Sequence, residues 1–365
     1  MANNLSSNIT RPLAKIFLEA FESSRVVTKT VNTQLLSGRF NPSTGSNVDF
    51  KRPHDYNTIR TAGGDISAST KSDIIAGKAT GTVQDYFTAA TEWSNIQQAL
   101  ELDQLEQILE PMARRLVTDL ELDLGLFMRK NTGLNYGARD TAVDAWSDVA
   151  GAGAMMDSVG VPMSDNKYYL MNPFTTTSLA SAQNGLNAAD GLVRTAWEKA
   201  QISSNFGGMR ALTSNALSSY TSGSTTDRLG SLTSAPDATY VTAKDTMQQT
   251  LAIETLGTGT IAAGDQIQIA GVNRLNIATR QVMLDAAGAA VPWTGTVLST
   301  VTIAGNAASV VVSGAAIYEA NGQYNTVDAA PAISAVVTIL GTAATVYQPN
   351  LFYTEQAFGL GTVKL

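Results

Sequence analysis

Leu105-Glu106-Gln107-Ile108-Leu109-Glu110-Pro111-Met112-Ala113-Arg114-Arg115-Leu116-Val117-Thr118-Asp119-Leu120-Glu121-Leu122-Asp123-Leu124-Gly125-Leu126-Phe127 carries the strongest periodic pattern in the chain. Leu105, Ile108, Leu109, Met112, Leu116, Leu120, Leu124 and Phe127 recur at spacings of three and four, which keeps one side of an α-helix apolar. Glu110-Pro111 interrupts the pattern. Proline removes a donor from a helix interior but suits the first helical position. The expectation is a short helix through Leu109 and a long one from Pro111 to about Lys130. Arg129 and Lys130 suit the negative end of the helix dipole, and Gly133 follows as a stop.

Upstream, residues 10–36 open as a helix that Thr10 can cap, with Pro12 in its first turn. Ile16, Phe17, Ala20 and Phe21 share a face. From Val26 to Val31 apolar and polar residues alternate, which predicts an extended arm. Residues 37–90 are rich in Gly, Ser, Thr and Asp, with short extended pieces such as Val48-Asp49-Phe50-Lys51. They read as a long β-hairpin or loop with little core of its own, which projects and packs on something else.

Downstream, residues 140–215 read as mixed α/β. A helix is expected over Thr141–Met156, a buried strand over Lys167–Met171, and helices near Thr175–Ala182 and Leu192–Gln201. Residues 223–335 change character: Thr, Ser, Ala, Gly and Val dominate, and glycines recur between apolar runs such as Gln266-Ile267-Gln268-Ile269 and Ser309-Val310-Val311-Val312. Short strands at such spacing predict a small β-barrel or sandwich, self-contained enough to be an insertion. Residues 336–365 are again strand-like.

Composition removes many functions. The chain has 365 residues, no Cys and a single His, so disulfides, thiolate zinc sites, thiol nucleophiles and multi-His metal sites are excluded. Residues 1–60 carry a net +4 and the rest −11, a basic arm on an acidic body. That distribution suits contacts with acidic partners or other subunits. It lacks the dense basic stripe of a high-affinity DNA binder. The N-terminus lacks the basic and apolar regions of a signal peptide, and no apolar run is long enough to span a bilayer.

The search for chemistry identifies no catalytic, cofactor-binding or metal-ligating residue. Gly257-Thr258-Gly259-Thr260-Ile261-Ala262 resembles a degenerate dinucleotide fingerprint, but a strand follows where a helix is required. Gly259 and Gly264 have phosphate-loop spacing, with Asp265 where Lys must stand. Asp119 and Asp123 share a helix face and Glu121 lies on another; a solvated face is the simpler reading of all three. His54-Asp55 pairs a base with an acid, yet adjacent residues seldom align for that, and no nucleophile accompanies them. Trp93, Trp146, Trp197 and Trp293 are dispersed and read as core anchors.

The order of segments, and several blocks within it, resemble the major capsid proteins of tailed phages with the HK97-like fold, and specifically the P22-type coat protein family. The blocks are Met112-Ala113-Arg114-Arg115-Leu116 through Glu121-Leu122, similar to that family's spine helix, then Asp144-Ala145-Trp146-Ser147-Asp148-Val149-Ala150. Lys167 to Pro173 is similar to a family strand ending in Asn-Pro, and Gly264-Asp265-Gln266-Ile267-Gln268-Ile269-Ala270-Gly271-Val272 to a strand and turn of the family's inserted domain. The chain ends at Leu365, where members usually continue.

The resemblance implies an α+β HK97-like capsid fold with an inserted β-barrel domain. Residues 1–37 would be the N-terminal arm and 38–92 an extended E-loop lying over a neighbouring subunit. Residues 93–150 would hold the spine helix and peripheral domain, 151–222 and 336–365 the axial domain, and 223–335 the insertion domain. It implies a major capsid protein that self-assembles into an icosahedral shell of hexamers and pentamers around double-stranded DNA, built in the host bacterial cytoplasm. Partners implied are further copies of the chain, a scaffolding protein, a portal, and DNA held weakly at the inner face. No cofactor, enzyme activity or membrane is implied. Lys51 raises the idea of a covalent Lys–Asn cross-link between subunits, which the inserted domain argues against. Two other readings are a secreted adhesin or surface-layer subunit, suggested by the β-rich half, and a carboxylate enzyme such as a glycosidase, for which no convergent pair is evident.

Overall fold

A computed structural model describes residues 18–20, 22, 24–33, 47–82, 88–89, 105–184, 199–200 and 202–361. The long helix, α1, runs from Leu105 to Lys130 without a break and takes Pro111 into its second turn. Two helices were expected here; instead Pro111 sits on the exposed side, where a carbonyl left without its helical donor can meet water.

The buried stripe of α1 is also shifted from the leucine pattern. Ala113, Val117, Glu121, Leu124 and Met128 are buried, while Met112, Leu116 and Leu120 are half-buried and Phe127 is 55% exposed. Small residues let α1 approach its neighbours closely. A Cβ on Gly125 would stand 2.6 Å from the backbone oxygen of Ala216. The bulkier leucine face is left partly open.

Beneath α1 lies a four-stranded sheet in the order β16-β3-β5-β4, formed by Lys167–Met171 (β3), Asn205–Phe206 (β4), Met209–Thr213 (β5) and Leu351–Thr354 (β16). β3 pairs in parallel with β5. The crossover between them contains helix α3, Pro173–Asn184, as a parallel pair requires. Helix α2 spans Trp146–Val159. It begins later than Thr141, because the Asp148 carboxylate accepts the amides of Asp144 and Ala145 and fixes the start there. Trp146 is 54% exposed, against its expected role as a core anchor, because it stands on the first turn of α2, away from the sheet. Trp293 is fully buried as expected, and Trp93 and Trp197 lie outside the described residues.

The β-rich half closes on itself. Strands β7 (Leu229–Leu232), β8 (Gln248–Glu254), β10 (Gln266–Asn273), β11 (Pro292–Val297), β13 (Ala308–Ser313) and β14 (Val336–Ile339) form a closed antiparallel barrel in the order β10-β11-β13-β8-β7-β14. Along β8, Gln249, Leu251 and Ile253 point inward between exposed neighbours. Along β13, Ala308, Val310 and Val312 are buried, with Ser309 exposed, Val311 half-buried and Ser313 buried. Trp293, Leu251, Ile253, Ile267, Val310 and Val337 share one core, and each such side chain contributes roughly 1.5–3 kcal/mol by burial. The closing strand lies beyond the boundary at 335: Ile267, Gln268 and Ile269 pair with Ile339, Thr338 and Val337, so 336–339 belong to the barrel and not to the body.

Two expectations near the N-terminus change. The alternating stretch from Val26 is no extended strand but a 3₁₀ turn over Val27–Lys29, with Val27, Thr28 and Val31 buried. Asn47–Lys51 (β1) and Lys78–Thr82 (β2) form the hairpin expected in residues 37–90. The helix read from Thr10 is described only at its end, where Leu18–Ala20 are helical, and of that read over Leu192–Gln201 only 199–200 are described.

Candidate functional site

Three junctions organise the molecule, and each joins segments distant in sequence. The first holds the N-terminal turn to α1. Glu121, 5% exposed, accepts hydrogen bonds from the amides of Val26 (2.6 Å) and Thr28 (3.2 Å) and from the Thr28 hydroxyl (3.1 Å). Thr30 Oγ1 shares a hydrogen bond with the Tyr353 hydroxyl at 2.6 Å, and burial pushes that phenol up to about 12. An acid among leucines reads as solvated; its one visible signal is the spacing of Ala113, Val117, Glu121 and Leu124, which sets it on the packed face.

The second junction ties the barrel to the C-terminal ends of α1 and α2. Ser313 Oγ donates to the carbonyl of Lys130 (3.0 Å), at the end of α1. Arg274 Nη2 and Thr294 Oγ1 both donate to the carbonyl of Gly133. Burial lowers the Arg274 guanidinium to about 10. Asn276 Nδ2 donates to Ser158 O (2.7 Å) and the Ile277 amide to Val159 O (2.9 Å), at the end of α2. Helix ends leave carbonyls without partners, and here the barrel supplies the donors.

The third junction lays the loop 52–77 against the barrel of its own chain. Asp55 pairs with Arg280. Asn57 Nδ2 donates to Asn321 O (2.6 Å), and Gln323 Nε2 donates to Asp73 O (2.5 Å). Ile75 packs on the cluster of Tyr240, Ala243, Ala315 and Ile317. Tyr56, Ile59, Ile66 and Ile74 stay exposed.

The sequence candidates for chemistry do not converge. Asp119 pairs with Arg115 at 3.1 Å, and Asp123 is exposed. His54 is exposed on the loop, and its neighbour Asp55 faces Arg280. Gly257–Ala262 forms a turn into the two-residue strand Thr260–Ile261 (β9), which pairs with Val301–Thr302 (β12), with Gly259 at φ +123°. Asp265 is wholly buried; its Oδ2 accepts the amides of Gly223 (3.0 Å) and Ala262 (2.9 Å). A cavity of about 850 Å³ lies under loop 131–145. Its two carboxylates are both engaged, Asp140 with Tyr347 and Thr342, Asp148 with the start of α2. Among the described residues no cluster of His, Asp or Glu could hold a metal ion. The arrangement suits mechanical contact between segments.

The family described as "P22 coat protein - gene protein 5" matches residues 1–365. The chain belongs to the P22 coat protein family. It is 45% identical over 372 residues to the "Major capsid protein" of Acyrthosiphon pisum secondary endosymbiont phage 1, covering 100% of this chain and 87% of that protein. As a member of the P22 coat protein family it is a phage major capsid protein, a structural subunit of the virion shell, and the adhesin alternative finds no support. Among solved structures it is similar to one from Mycobacterium phage Che8, with a TM-score of 0.41 at 15% identity, covering 80% of this chain and 87% of that one. It is also similar to the capsid structure of the Cyanophage P-SCSP1u, with a TM-score of 0.34 at 16% identity, covering 78% and 81%. At those scores the likeness carries no argument about fold. No helix among the described residues is long and apolar enough to cross a membrane.

Proposed function

We propose that this capsid subunit builds an icosahedral shell of hexamers and pentamers around double-stranded DNA, using an HK97-like layout. In that layout residues 1–37 are the arm, 38–92 the E-loop, 93–150 the spine helix and peripheral domain, and 151–222 with the end of the chain the axial domain. The inserted barrel runs from about 223 to 339, once its closing strand is included. The carrying observation is the loop 52–77. Of its residues only Gly77 is buried, while Tyr56, Ile59, Ile66 and Ile74 stay exposed even though the loop rests on the barrel of its own chain. Four exposed apolar side chains on one loop offer a partner apolar surface to cover. The neighbour that fits is a second copy, as shell building demands.

Scaffolding protein and portal are the further partners of this reading, and DNA contact at the inner face is weak because the body is acidic. No catalytic step is part of it. Electron microscopy of the full chain co-expressed with its phage's scaffolding protein tests the proposal. Closed icosahedral shells are expected for the unaltered chain. The quadruple replacement of Tyr56, Ile59, Ile66 and Ile74 by Ser should leave folded monomers that do not close. Shells of normal yield from that variant would remove the loop from the contact, and tubes or sheets from the unaltered chain would end the icosahedral reading.

A further inference from the structure

The chain enters and leaves the barrel through a narrow neck. Tyr220–Thr221 (β6) pairs with Val346–Tyr347 (β15) in a ladder of two residues. Four bonds extend it: the Ser222 amide to Thr345 O (2.9 Å), the Ala344 amide to Gly223 O (3.0 Å), Ser222 Oγ to Thr342 O (2.7 Å), and the Thr345 amide to Ser222 Oγ (3.0 Å). So short a ladder is a soft connection by itself.

Two adjacent residues of loop 131–145 grip the neck from both sides. Arg139 takes the barrel side: its Nε donates to Gln266 Oε1 (3.3 Å) and its Nη2 to Gly264 O (3.2 Å). Asp140 takes the outgoing strand: its Oδ1 accepts from the Tyr347 hydroxyl and, at 3.3 Å, from the Thr342 amide, whose shorter bond is to the Tyr347 hydroxyl oxygen at 2.6 Å. The Tyr220 ring is wedged at the centre, with the guanidinium of Arg129 4.8 Å and that of Arg139 5.5 Å from its centroid, and Tyr347 5.8 Å away. Neither half of the grip comes from the barrel, so nothing in barrel folding makes it. Asp140 and residues 136–138 beside it are exposed, unlike Ser313 and Thr294, the buried donors at the end of α1.

We infer that Arg139 and Asp140 are positioning residues that clasp the neck and set the angle between barrel and body. Asp140 can let go without uncovering core, whereas Arg139 lies over the buried Tyr220, so the Asp140 side of the clasp is where that angle can be adjusted. For the shell the consequence is a change of subunit curvature at the neck, a step that rests on the shell-building reading above. The clasp itself does not.

The test is hydrogen exchange on the full-length chain and on R139Q, D140N and Y347F. Exchange at Ser222, Thr342, Ala344 and Thr345 should rise by about tenfold in each variant, the loss of one or two charge-assisted bonds, while Leu251 and Val310 in the barrel core keep the unaltered rate. Y347F and D140N change exposed or half-buried atoms, so they serve if R139Q fails to fold. Unchanged neck exchange in all folded variants would overturn the clasp, as would neck and barrel core loosening together. Electron microscopy of assembled variants adds a second readout: a barrel tilted relative to α1 supports the clasp, and an unchanged tilt in the variants opposes its role in setting the angle. Failure of the unaltered chain to form shells would sink the shell reading and leave the exchange result to decide the clasp.

Discussion

The barrel and the loop 52–77 draw on similar small and polar residues and come to opposite ends. In the barrel, buried Val, Ile and Leu recur at every second position along β8, β10, β13 and β14, β11 buries a continuous run, and six strands close over one core. In the loop, Ile59, Ile66, Ile74 and Ile75 are isolated among Gly, Ser, Thr and Asp, and of these only Ile75 finds a cluster to pack on. Period, not composition, separates a self-sufficient unit from one that depends on what it touches.

The largest test of that contrast is a pair of truncations. Trp293→Ala should cost about 3–5 kcal/mol of unfolding free energy in a denaturant melt, since the indole is fully buried and its Nε1 donates to Gly314 O at 2.9 Å. Ile74→Ala, at 73% exposure, should fall within about 0.5 kcal/mol of the unaltered chain. Equal costs would erase the distinction between the two regions.

Glu121→Ala comes next. It strands the buried amide of Thr28 and the half-buried amide of Val26, and a loss of about 1–3 kcal/mol is expected. Val26 and Thr28 should lose exchange protection while barrel amides keep theirs, which sharpens the comparison by adding a third region that one side chain holds. Protection unchanged at Thr28 would mean that the packing of Val27 and Val31 alone holds the turn.

These predictions separate what the sequence made legible from what it did not. The strand Lys167–Met171 was readable to the residue because Tyr168, Tyr169, Leu170 and Met171 form a continuous apolar run stopped by Asn172-Pro173. The class of the β-rich half was readable from glycines recurring between short apolar runs. Its last strand was not, because Val336-Val337-Thr338-Ile339 owes its place to a pairing with residues 267–269, some seventy positions earlier. The turn at Val27 was misread for a related reason: alternation predicts a strand only where a partner strand is available, and here a carboxylate on α1 takes the amides instead. No local pattern announces the clasp either, since Arg139, Gly264 and Thr342 meet only in three dimensions.

Smaller effects are expected where the loop meets the barrel. Asp55→Ala removes a half-exposed ion pair with Arg280 and should change stability by no more than about 1 kcal/mol. Limited trypsin digestion should nonetheless cut faster at Arg60 and Lys71, because opening of the loop alone suffices for cleavage. An unaltered digestion rate would leave the attachment to Ile75 and Gln323.

The smallest effect belongs to the hairpin at the base of the loop. The Thr80 hydroxyl, and then Lys78, hold the Asp49 carboxyl below its ordinary 3.8. A depressed value in the folded state stabilises above 3.8, and that contribution fades as pH falls through the lower folded value. Between pH 5 and 8 the hairpin should therefore show no pH dependence from this group. Loosening confined to acid below about pH 4, followed by the amide shifts of Asp49 and Thr80, is the expected outcome. A midpoint above 3.8 would remove the Thr80 and Lys78 contacts from consideration.

Closure of the barrel has a consequence for life in a crowd. A chain made in many copies in one cell meets itself constantly, and an open sheet edge is a template on which the next copy can add a strand without limit. The six strands of the barrel offer no such edge, each having a neighbour on both sides. The largest β-structure among the described residues is thus the one least able to grow into a fibre. Copies must recognise one another through side chains on finished surfaces, a kind of meeting that can stop at a closed particle.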